Sequence, residues 1–349
     1  MNENIKIKTF KEVDLSDEFF SSLKADYPGF EQWFNSRPER KAYLLYDDNR
    51  KIKGFLHLKE EGQVVDDVRP KLYADKILKV ATFKVEAHGT KMGEQFIKII
   101  MDNAIEEKVD VCYVTIFPKH EKLIELVQSF GFEEYGEKGD VSNPEKVYVK
   151  RMGKITGDIY KDYPNINVKT SRKYLLGIHP RYHSVMFPHS ILKTESKSII
   201  TDVSHTNSIR KIYVCSMIGI ENLKQGDVLV LYRTAEYGKS AEYSSVVTSV
   251  CVVEEVKMQG EFTSFDEFYK YASQYSVFDK ADLYKWYRRG GCKTIKMTYN
   301  AAMKKRVIRH DLIEKIGMNR DSYWGFMPIS NEQFNQIMEQ SEVNANIFV

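Results

Sequence analysis

Residues that suit anion binding stand together between positions 88 and 93. The run His88-Gly89-Thr90-Lys91-Met92-Gly93 holds two glycines, a threonine and a lysine, and an amphipathic helical pattern follows it. The first N–H groups of a helix lack intrahelical partners and carry partial positive charge. Glycines let the backbone approach an anion closely, so this turn suits a phosphate or pyrophosphate. An ordinary glycine turn between a strand and a helix is the alternative, since short glycine patterns also arise by chance.

The elements around this turn alternate between strands and helices. Downstream of a strand over 76–85 and the helix that follows the turn, the pattern predicts a strand over 109–117 and a helix over 119–130 that ends at Gly131. Upstream lie a strand, a helix interrupted by Pro28 and a hairpin, and two short strands close the series at 131–137 and 145–151.

This order resembles the GNAT N-acetyltransferase family over residues 1–152. The residues that carry the resemblance are Phe83 to Val85, the turn His88 to Gly93, and Gly131-Phe132. The resemblance implies an α/β GNAT fold, a mixed twisted sheet with flanking helices, and acetyl-CoA as the cofactor. In that family the turn holds the pyrophosphate, and two splayed strands admit the pantetheine arm. The cofactor-binding residues implied here are Phe83, Lys84, Val85, His88, Gly89, Thr90, Lys91, Met92, Gly93 and Glu94.

Two positions depart from the family pattern. The family turn, Arg/Gln-x-x-Gly-x-Gly/Ala, places its first glycine at Lys91, and the tyrosine that many members use as a proton donor falls on Val127. Attack on a thioester needs a neutral amine, so a nearby group normally takes a proton. The candidates for proton transfer are Glu86, His120, Tyr135 and Tyr148. Catalysis by positioning alone is the alternative.

Composition predicts a globular cytoplasmic protein with more than one domain. The chain has 349 residues, of which 42% are hydrophobic and 29% are charged, and this length exceeds what one core usually serves. The sequence shows no apolar run of membrane-spanning length and no apolar signal segment. The four cysteines are widely spaced, and three lie in apolar strand-like runs, so free thiols in a reducing compartment are expected.

The charge of the chain is unevenly distributed. Residues 1–150 hold 24 basic and 28 acidic residues (net −4), and residues 151–349 hold 28 and 21 (net +7). A basic domain favours polyanionic partners, although an ordinary soluble surface remains an alternative. Residues 153–168 have the composition of a linker, and 169–349 form the second predicted domain.

The second domain resembles the PUA-like superfamily, which includes ASCH and EVE domains. The residues behind this are Gly226-Asp227 with the strand that follows, the long strand over 244–256, and the closing segment over 316–338. The resemblance implies an α+β β-barrel that binds RNA or modified nucleobases.

Mixed cations and aromatic rings in this domain predict contacts with nucleic acid, because rings stack on bases while cations meet phosphates. The predicted residues are Arg181, His183, Arg210, Lys211, Tyr232, Arg233, Trp286, Arg288 and Arg289. Packing against the core is the alternative for each of them. Zinc binding by His179, His183 and His189 is disfavoured because a fourth ligand and a zinc-site spacing are missing.

Three functions fit the sequence. The first is an acetyl-CoA-dependent N-acetyltransferase whose second domain recruits RNA or a nucleic-acid-bound substrate, for which the resemblance to acetyltransferase toxins suggests an aminoacyl-tRNA amine. The second is a protein or small-amine acetyltransferase whose barrel docks a protein. The third is a non-catalytic acetyl-CoA-binding regulator. The sequence does not choose the acceptor or the oligomeric state.

Overall fold

The computed structural model describes residues 5–47, 49–86, 91–187 and 208–349. The chain divides into two compact units, Met1–Met152 and Gly153–Val349. Within the described residues, none of the helices combines the length and hydropathy needed to cross a bilayer.

The first unit contains strands and helices in the order that the sequence predicts. Its strands are β1 (Ile5–Thr9), β2 (Lys41–Tyr46), β3 (Ile52–Glu61), β4 (Val64–Val65), β5 (Val68–Arg69), β6 (Leu72–Tyr73), β7 (Ile77–Val85), β8 (Val111–Ile116), β9 (Glu133–Lys138) and β10 (Glu145–Arg151). Its helices are α1 (Ser21–Asp26), α2 (Phe30–Asn35), α3 (Lys91–Glu106) and α4 (Glu121–Ser129).

Eight of these strands form one mixed sheet in the order β1-β2-β3-β7-β8-β10-β9-β5. The pair β7 and β8 is parallel, with α3 in the crossover between them, and the other pairs are antiparallel. The mixed sheet with flanking helices predicted for this unit is therefore confirmed.

The two faces of the sheet carry different helices. The α-carbon of Gly54 faces Phe96 of α3 so closely that a Cβ would lie 2.6 Å from the ring, whereas its neighbour Phe55 packs against Phe34 of α2 and Phe20, which directly precedes α1. Successive strand residues point to opposite faces, so α3 covers one face and α1 and α2 cover the other. Gly29, with φ +93, separates α1 from α2 where the sequence predicts a break.

The second unit contains six strands and seven helices among its described residues. The strands are β11 (Lys173–Ile178), β12 (Arg210–Cys215), β13 (Val228–Arg233), β14 (Val246–Met258), β15 (Lys293–Ile308) and β16 (Phe326–Ile329). The helices are α5 (Ile159–Asp162), α6 (Pro180–Met186), α7 (Ala241–Ser244), α8 (Phe265–Ala272), α9 (Lys280–Arg289), α10 (Arg309–Glu314) and α11 (Asn331–Gln340).

The strands of the second unit form a sheet in the order β12-β15-β14-β13-β11-β16. The long strands β14 and β15 pair along most of their length with several register shifts, which bend and twist a sheet locally. Helices α8 and α9 pack onto its core through Phe268 and Leu283, which have no exposed surface. The predicted α+β character is confirmed.

The segment 153–168 is not the linker that its composition predicts. Tyr163 and Ile166 are buried, the backbone of Ile166 donates to the carbonyl of Ile347 at 2.7 Å, and the side chain of Asn300 donates to the carbonyl of Pro164 at 3.1 Å. The segment is therefore an irregular, packed part of the second unit, and its glycines, proline and asparagines belong to that irregular structure.

This packing predicts that a fragment of residues 153–349 is more stable than one of residues 169–349. The shorter fragment lacks two buried side chains, and removing one large buried side chain costs about 2–5 kcal/mol. Thermal unfolding followed by circular dichroism would compare the two fragments, with residues 1–152 as the companion fragment. Equal midpoints for the two would show that the segment is only a tether.

Candidate functional site

Strands β7 and β8 separate within the sheet of the first unit. Strand β7 pairs with β3 over its full length, but its pairing with β8 covers only Ile77 to Val80, opposite Val111 to Val114. Beyond that point, Ala81–Val85 and Thr115–Ile116 continue as strands without recorded pairing to each other. An edge of β7 is therefore open in the middle of the sheet.

A β-bulge accounts for this separation. Leu58 of β3 faces Val80 of β7, whereas the neighbouring His57 faces Thr82, so Ala81 is an additional residue on β7. A bulge bends the strand that carries it and increases its twist. The bend falls at the position where pairing with β8 stops.

Helix α3 begins shortly after the open part of β7. His88, Gly89 and Thr90 lie outside the described residues, and Lys91 is the first residue of the helix. The predicted contacts of the turn from His88 to Lys91 with a cofactor stay a prediction. Helix α3 has 16 residues, and its N-terminus, which is the positive end of the helix dipole, follows the open part of β7.

Gly93 serves the packing of α3 against α4. A Cβ on Gly93 would lie 2.7 Å from Cδ2 of Leu126, so the missing side chain faces the neighbouring helix. The role of Gly93 as a backbone contact for a cofactor stays a prediction. Met92 is half-buried, and Glu94 is buried at 1% exposure, so both belong largely to the interior of the unit.

The end of β7 places its side chains on both faces of the sheet. The ring of Phe83 packs edge-on against Phe96 of α3, with the ring centroids 5.8 Å apart. Lys84 lies over the ring of Phe19 at 4.4 Å, donates to the carbonyl of that residue and pairs with Glu86 at 3.0 Å. Val85, opposite Gly54, is half-buried. Phe83 and Lys84 are thus engaged by the protein, which leaves the backbone edge of β7 for a cofactor.

Two of the predicted proton-transfer groups contact charged side chains on the surface of the first unit. Glu86 is bound to Lys84, as described above. His120 precedes α4, and its Nε2 lies 2.9 Å from Oδ2 of Asp26, which also accepts from Lys119. Burial opposes ionisation of Asp26, but the hydrogen bonds from Lys119 and His120 outweigh it and lower the pKa of the carboxyl group.

Of the two predicted tyrosines, Tyr135 has its hydroxyl group bonded away from the open strand edge, and the role of Tyr148 stays a prediction. The hydroxyl of Tyr135 donates to the carbonyl of Lys71 at 2.8 Å, two strands away from β8, so Tyr135 is corrected to a structural residue. Tyr148 lies opposite Val114 on β10 and is buried, and this burial, with the charge of Glu134, raises the pKa of its hydroxyl.

The family position occupied by Val127 belongs to the core. Val127 is 1% exposed, and its carbonyl accepts from the backbone of Phe132 at 3.1 Å, where the chain leaves α4. A tyrosine at this position would need space that the packed helix does not have.

A cluster that the sequence did not reveal lies where β8 becomes free of β7. Oε1 of Glu145 accepts from the hydroxyl of Tyr27 at 2.6 Å and from that of Thr115 at 3.0 Å. The ring of Tyr27 packs near Phe117, with the centroids 5.4 Å apart. Burial and the charge of Glu145 raise the pKa of Tyr27. One sequence signal could have indicated this cluster: Glu145 is an acidic residue at the start of β10, the strand that pairs antiparallel with the end of β8.

Four of the predicted nucleic-acid contacts are buried in the second unit, and this part of the prediction is wrong. His183, Lys211, Tyr232 and Arg233 are each at most 3% exposed. They lie on α6 and on strands β12 and β13, whose inner faces form the core. Two of the basic groups have side-chain partners there: His183 contacts the hydroxyl group of Thr248, and Arg233 pairs with Glu236. The mixture of cations and aromatic rings on these strands predicted an exposed binding surface, but the sheet directs these side chains toward the core.

The remaining predicted contacts are more accessible. Arg181, Arg288 and Arg289 are exposed, and Arg181 of α6 reaches Asp282 of α9 at 3.3 Å. Trp286 is half-buried against the core with Arg289 over its ring at 5.6 Å. Arg210 is half-buried and stacks over Tyr160 at 4.2 Å.

The histidines considered as zinc ligands take other roles where they are described. His179 is the N-cap of α6, where its Nδ1 accepts from the backbone of Arg181 at 3.3 Å, and His189 lies outside the described residues. Elsewhere Glu242, His310 and Glu314 come together, but the guanidinium group of Arg320 already pairs with both carboxylates.

Comparisons with known proteins return structures of both predicted kinds. No family model matches the chain, and no curated protein matches it. An ASCH protein of Zymomonas mobilis aligns with 48% of this chain and 94% of its own at 6% identity and a TM-score of 0.34. The NatC complex bound to Gag peptide and CoA aligns over 43% and 99% at 16% identity and 0.30. Naa20 of Chaetomium thermophilum, in complex with a bisubstrate analogue, aligns over 42% and 83% at 17% identity and 0.31.

The buried His183 predicts that acid destabilises the second unit. Burial, then the charges of Arg233 and Arg306, lowers the pKa of His183 to about 3 from its ordinary value of 6.5. The folded state therefore keeps His183 neutral, and stability is lost as the pH falls below 6.5, at about 1.4 kcal/mol per pH unit. Urea unfolding of the wild type between pH 7 and pH 5 should show a loss about 2 kcal/mol larger than that of His183→Gln. Equal losses in both proteins would contradict the buried neutral imidazole.

Proposed function

We propose that this protein transfers the acetyl group of acetyl-CoA to an amine, and that its second unit recruits RNA or a substrate attached to nucleic acid. The observation that carries the first part is the open edge of β7 beside β8, directly before the start of α3. The second part rests on the cations that stay exposed on α6 and α9.

The open strand edge suits the extended arm of acetyl-CoA. Backbone N–H and C=O groups on an unpaired edge bind extended ligands that carry amide groups, as in strand addition by peptides. The pantetheine arm carries two such amides. The N-terminus of α3 lies beyond the same edge and favours negative charge, so the pyrophosphate would reach it as the arm follows β7.

Glu145 is the carboxylate best placed to take the proton of the amine. It accepts from Thr115, which follows the last residue of β8 paired with β7, and from Tyr27 of the segment between α1 and α2. As the amine nitrogen bonds to the acetyl carbon, its proton passes to Glu145 and the C–S bond breaks. The hydroxyl group of Tyr27 donates to Glu145, so it can give its proton to the leaving thiolate while it takes the proton that Glu145 received, and the proton of the amine ends on CoA.

The candidate nucleic-acid surface of the second unit is narrower than the sequence predicts. We define it as the exposed face of α9 with Arg181 of α6. It presents Lys285, Arg288 and Arg289 next to the half-buried Trp286 and the exposed Tyr284. Cations beside accessible rings are what binding to single-stranded nucleic acid requires.

The variant Glu145→Gln tests the transferase proposal. It keeps the size of the side chain and removes its basicity, so kcat should fall about 10²–10⁴-fold while the affinity for acetyl-CoA stays the same. Release of free CoA thiol would report turnover and calorimetry would report binding. Glu137→Gln on β9, which removes a half-buried carboxylate paired with Lys146, is the matched control. Wild-type protein that binds no acetyl-CoA would end the proposal.

The double variant Arg288→Ala/Arg289→Ala tests the nucleic-acid proposal. Binding to single-stranded RNA should weaken for all sequences alike, and the slope of log affinity against log salt should flatten by up to about two contacts, each worth about 0.7. Lys304→Ala/Lys305→Ala removes the same charge from exposed positions on β15 and should leave the slope unchanged. If both double variants weaken binding equally, overall charge and not this surface is responsible.

A further inference from the structure

A basic cleft opens on the face of the first sheet that α1 and α2 cover. Its volume is ≈ 220 Å³, and it is lined by Trp33, Arg37, Arg40, Lys59, Lys79 and Ala81. Four of these six residues are cations, and among the described residues no acidic side chain lines the cleft. It takes its walls from α2 and the segment after it, and its floor from β3 and β7.

Two of the cations face each other directly across a strand pair. Lys59 of β3 is the register partner of Lys79 of β7 in the antiparallel ladder. Like charges directly opposite each other destabilise a sheet. Glu61 pairs with Lys59 at 2.7 Å, whereas no ion pair is recorded for Lys79 within the described residues. Burial, then the charge of Lys138, lowers the pKa of Lys79 to about 8. The charges of Asp67 and Glu61 oppose this lowering but do not cancel it, so the cleft keeps positive charge that a bound anion would balance.

One arginine of the cleft, Arg37, is positioned before any ligand arrives. Nη1 of Arg37 donates to the carbonyl of Trp33 at 2.9 Å, and the guanidinium group stacks over the indole ring at 5.5 Å. Arg40 follows one turn later and is half-buried, with no ion pair to any residue in the described ranges. Planar guanidinium groups match the oxygens of a phosphate in a bidentate manner.

The cleft ends at the candidate reaction centre. Ala81 is the bulged residue at which β7 leaves β8, and Thr115 of the Glu145 cluster follows the last paired position of β8. Tyr113 and Thr115 alternate to the same side of β8, and Tyr113 lies under Lys79 with the ammonium group 5.5 Å from its ring. We therefore expect a molecule held by these cations to extend toward the open edge of β7 and the Glu145 cluster, where its amine would react.

We propose that this cleft binds a phosphate group carried by the acceptor amine, so that the substrate class is phosphate-bearing amines. This rests on the transferase function proposed above. Lys59 is already paired with Glu61, and the three further cations of the cleft fit the higher charge of a phosphate ester better than the single charge of a carboxylate. The phosphate comes either from a small phosphorylated amine or from the end of an aminoacylated RNA.

Pairs of acceptors that differ in phosphate test the proposal with the full chain. The small pair is O-phosphoethanolamine and ethanolamine, and the polynucleotide pair is aminoacyl-tRNA and aminoacyl-adenosine. In at least one pair, kcat/KM should be more than about tenfold higher for the phosphate-bearing member, mainly through a lower KM, because the phosphate-free member loses charge-assisted hydrogen bonds. The pair that shows the preference identifies the source of the phosphate.

The double variant Arg40→Gln/Lys59→Gln should abolish most of that preference without changing kcat for the phosphate-free members. Lys11→Gln/Lys71→Gln removes the same charge from exposed positions outside the cleft and should behave as the wild type. RNA also has a candidate binding surface in the second unit. A preference for aminoacyl-tRNA therefore supports the cleft only if the cleft variant reduces it.

Three results would overturn the proposal. Equal kcat/KM within each pair, a preference untouched by the cleft variant, or faster acetylation of an acidic peptide than of either phosphate-bearing amine would each do so. Acetylation of phosphate-free amines alone would leave the transferase function intact. Should no acceptor turn over, calorimetry with O-phosphoethanolamine and with tRNA decides: binding that the cleft variant abolishes supports the proposal, and unchanged or absent binding rejects it.

Discussion

The first unit depends on one extra residue in the middle of its sheet. Backbone groups inside a sheet must pair, so an interior strand normally bonds to both neighbours along its length. The bulge at Ala81 bends β7 after Val80, and β7 keeps its ladder with β3 while it leaves β8. This opens a strand edge where the sheet is otherwise continuous. The open edge, the start of α3, the Glu145 cluster and the basic cleft all meet this point of separation.

The second unit puts several basic side chains inside and others outside. His183, Lys211 and Arg233 are buried next to hydroxyl groups, rings or a carboxylate, and they help fix the interior of the sheet. A buried charge is costly unless it is paired, so their environment is specific to each of them. Arg288 and Arg289 lie on the outer face of an amphipathic helix, where the cost of exposure is low. Net charge alone therefore does not locate a binding surface in this unit.

The two units present cations in different ways. In the second unit the exposed cations stand on one helix, where they suit a flexible polyanion. In the first unit, Arg37, Arg40, Lys59 and Lys79 converge on a cleft that ends at Ala81. The overall charge of residues 1–150 is negative, so this local concentration cannot be read from composition. Strand register brings Lys59 and Lys79 together although 20 positions separate them.

The sequence by itself determined the order of elements, the division near residue 152 and the class of each unit, because hydrophobic periodicity and glycine positions act over short distances. It also marked Val127 as unfit for proton transfer, and the buried position of this residue agrees. Tertiary structure decided the rest. The inward direction of Tyr232 and Arg233, the contact of Gly93 with Leu126, and the joining of Tyr27, Thr115 and Glu145 depend on register and on packing between distant segments. A shift of one residue in a strand reverses which side chains face the core, and local sequence does not specify that shift.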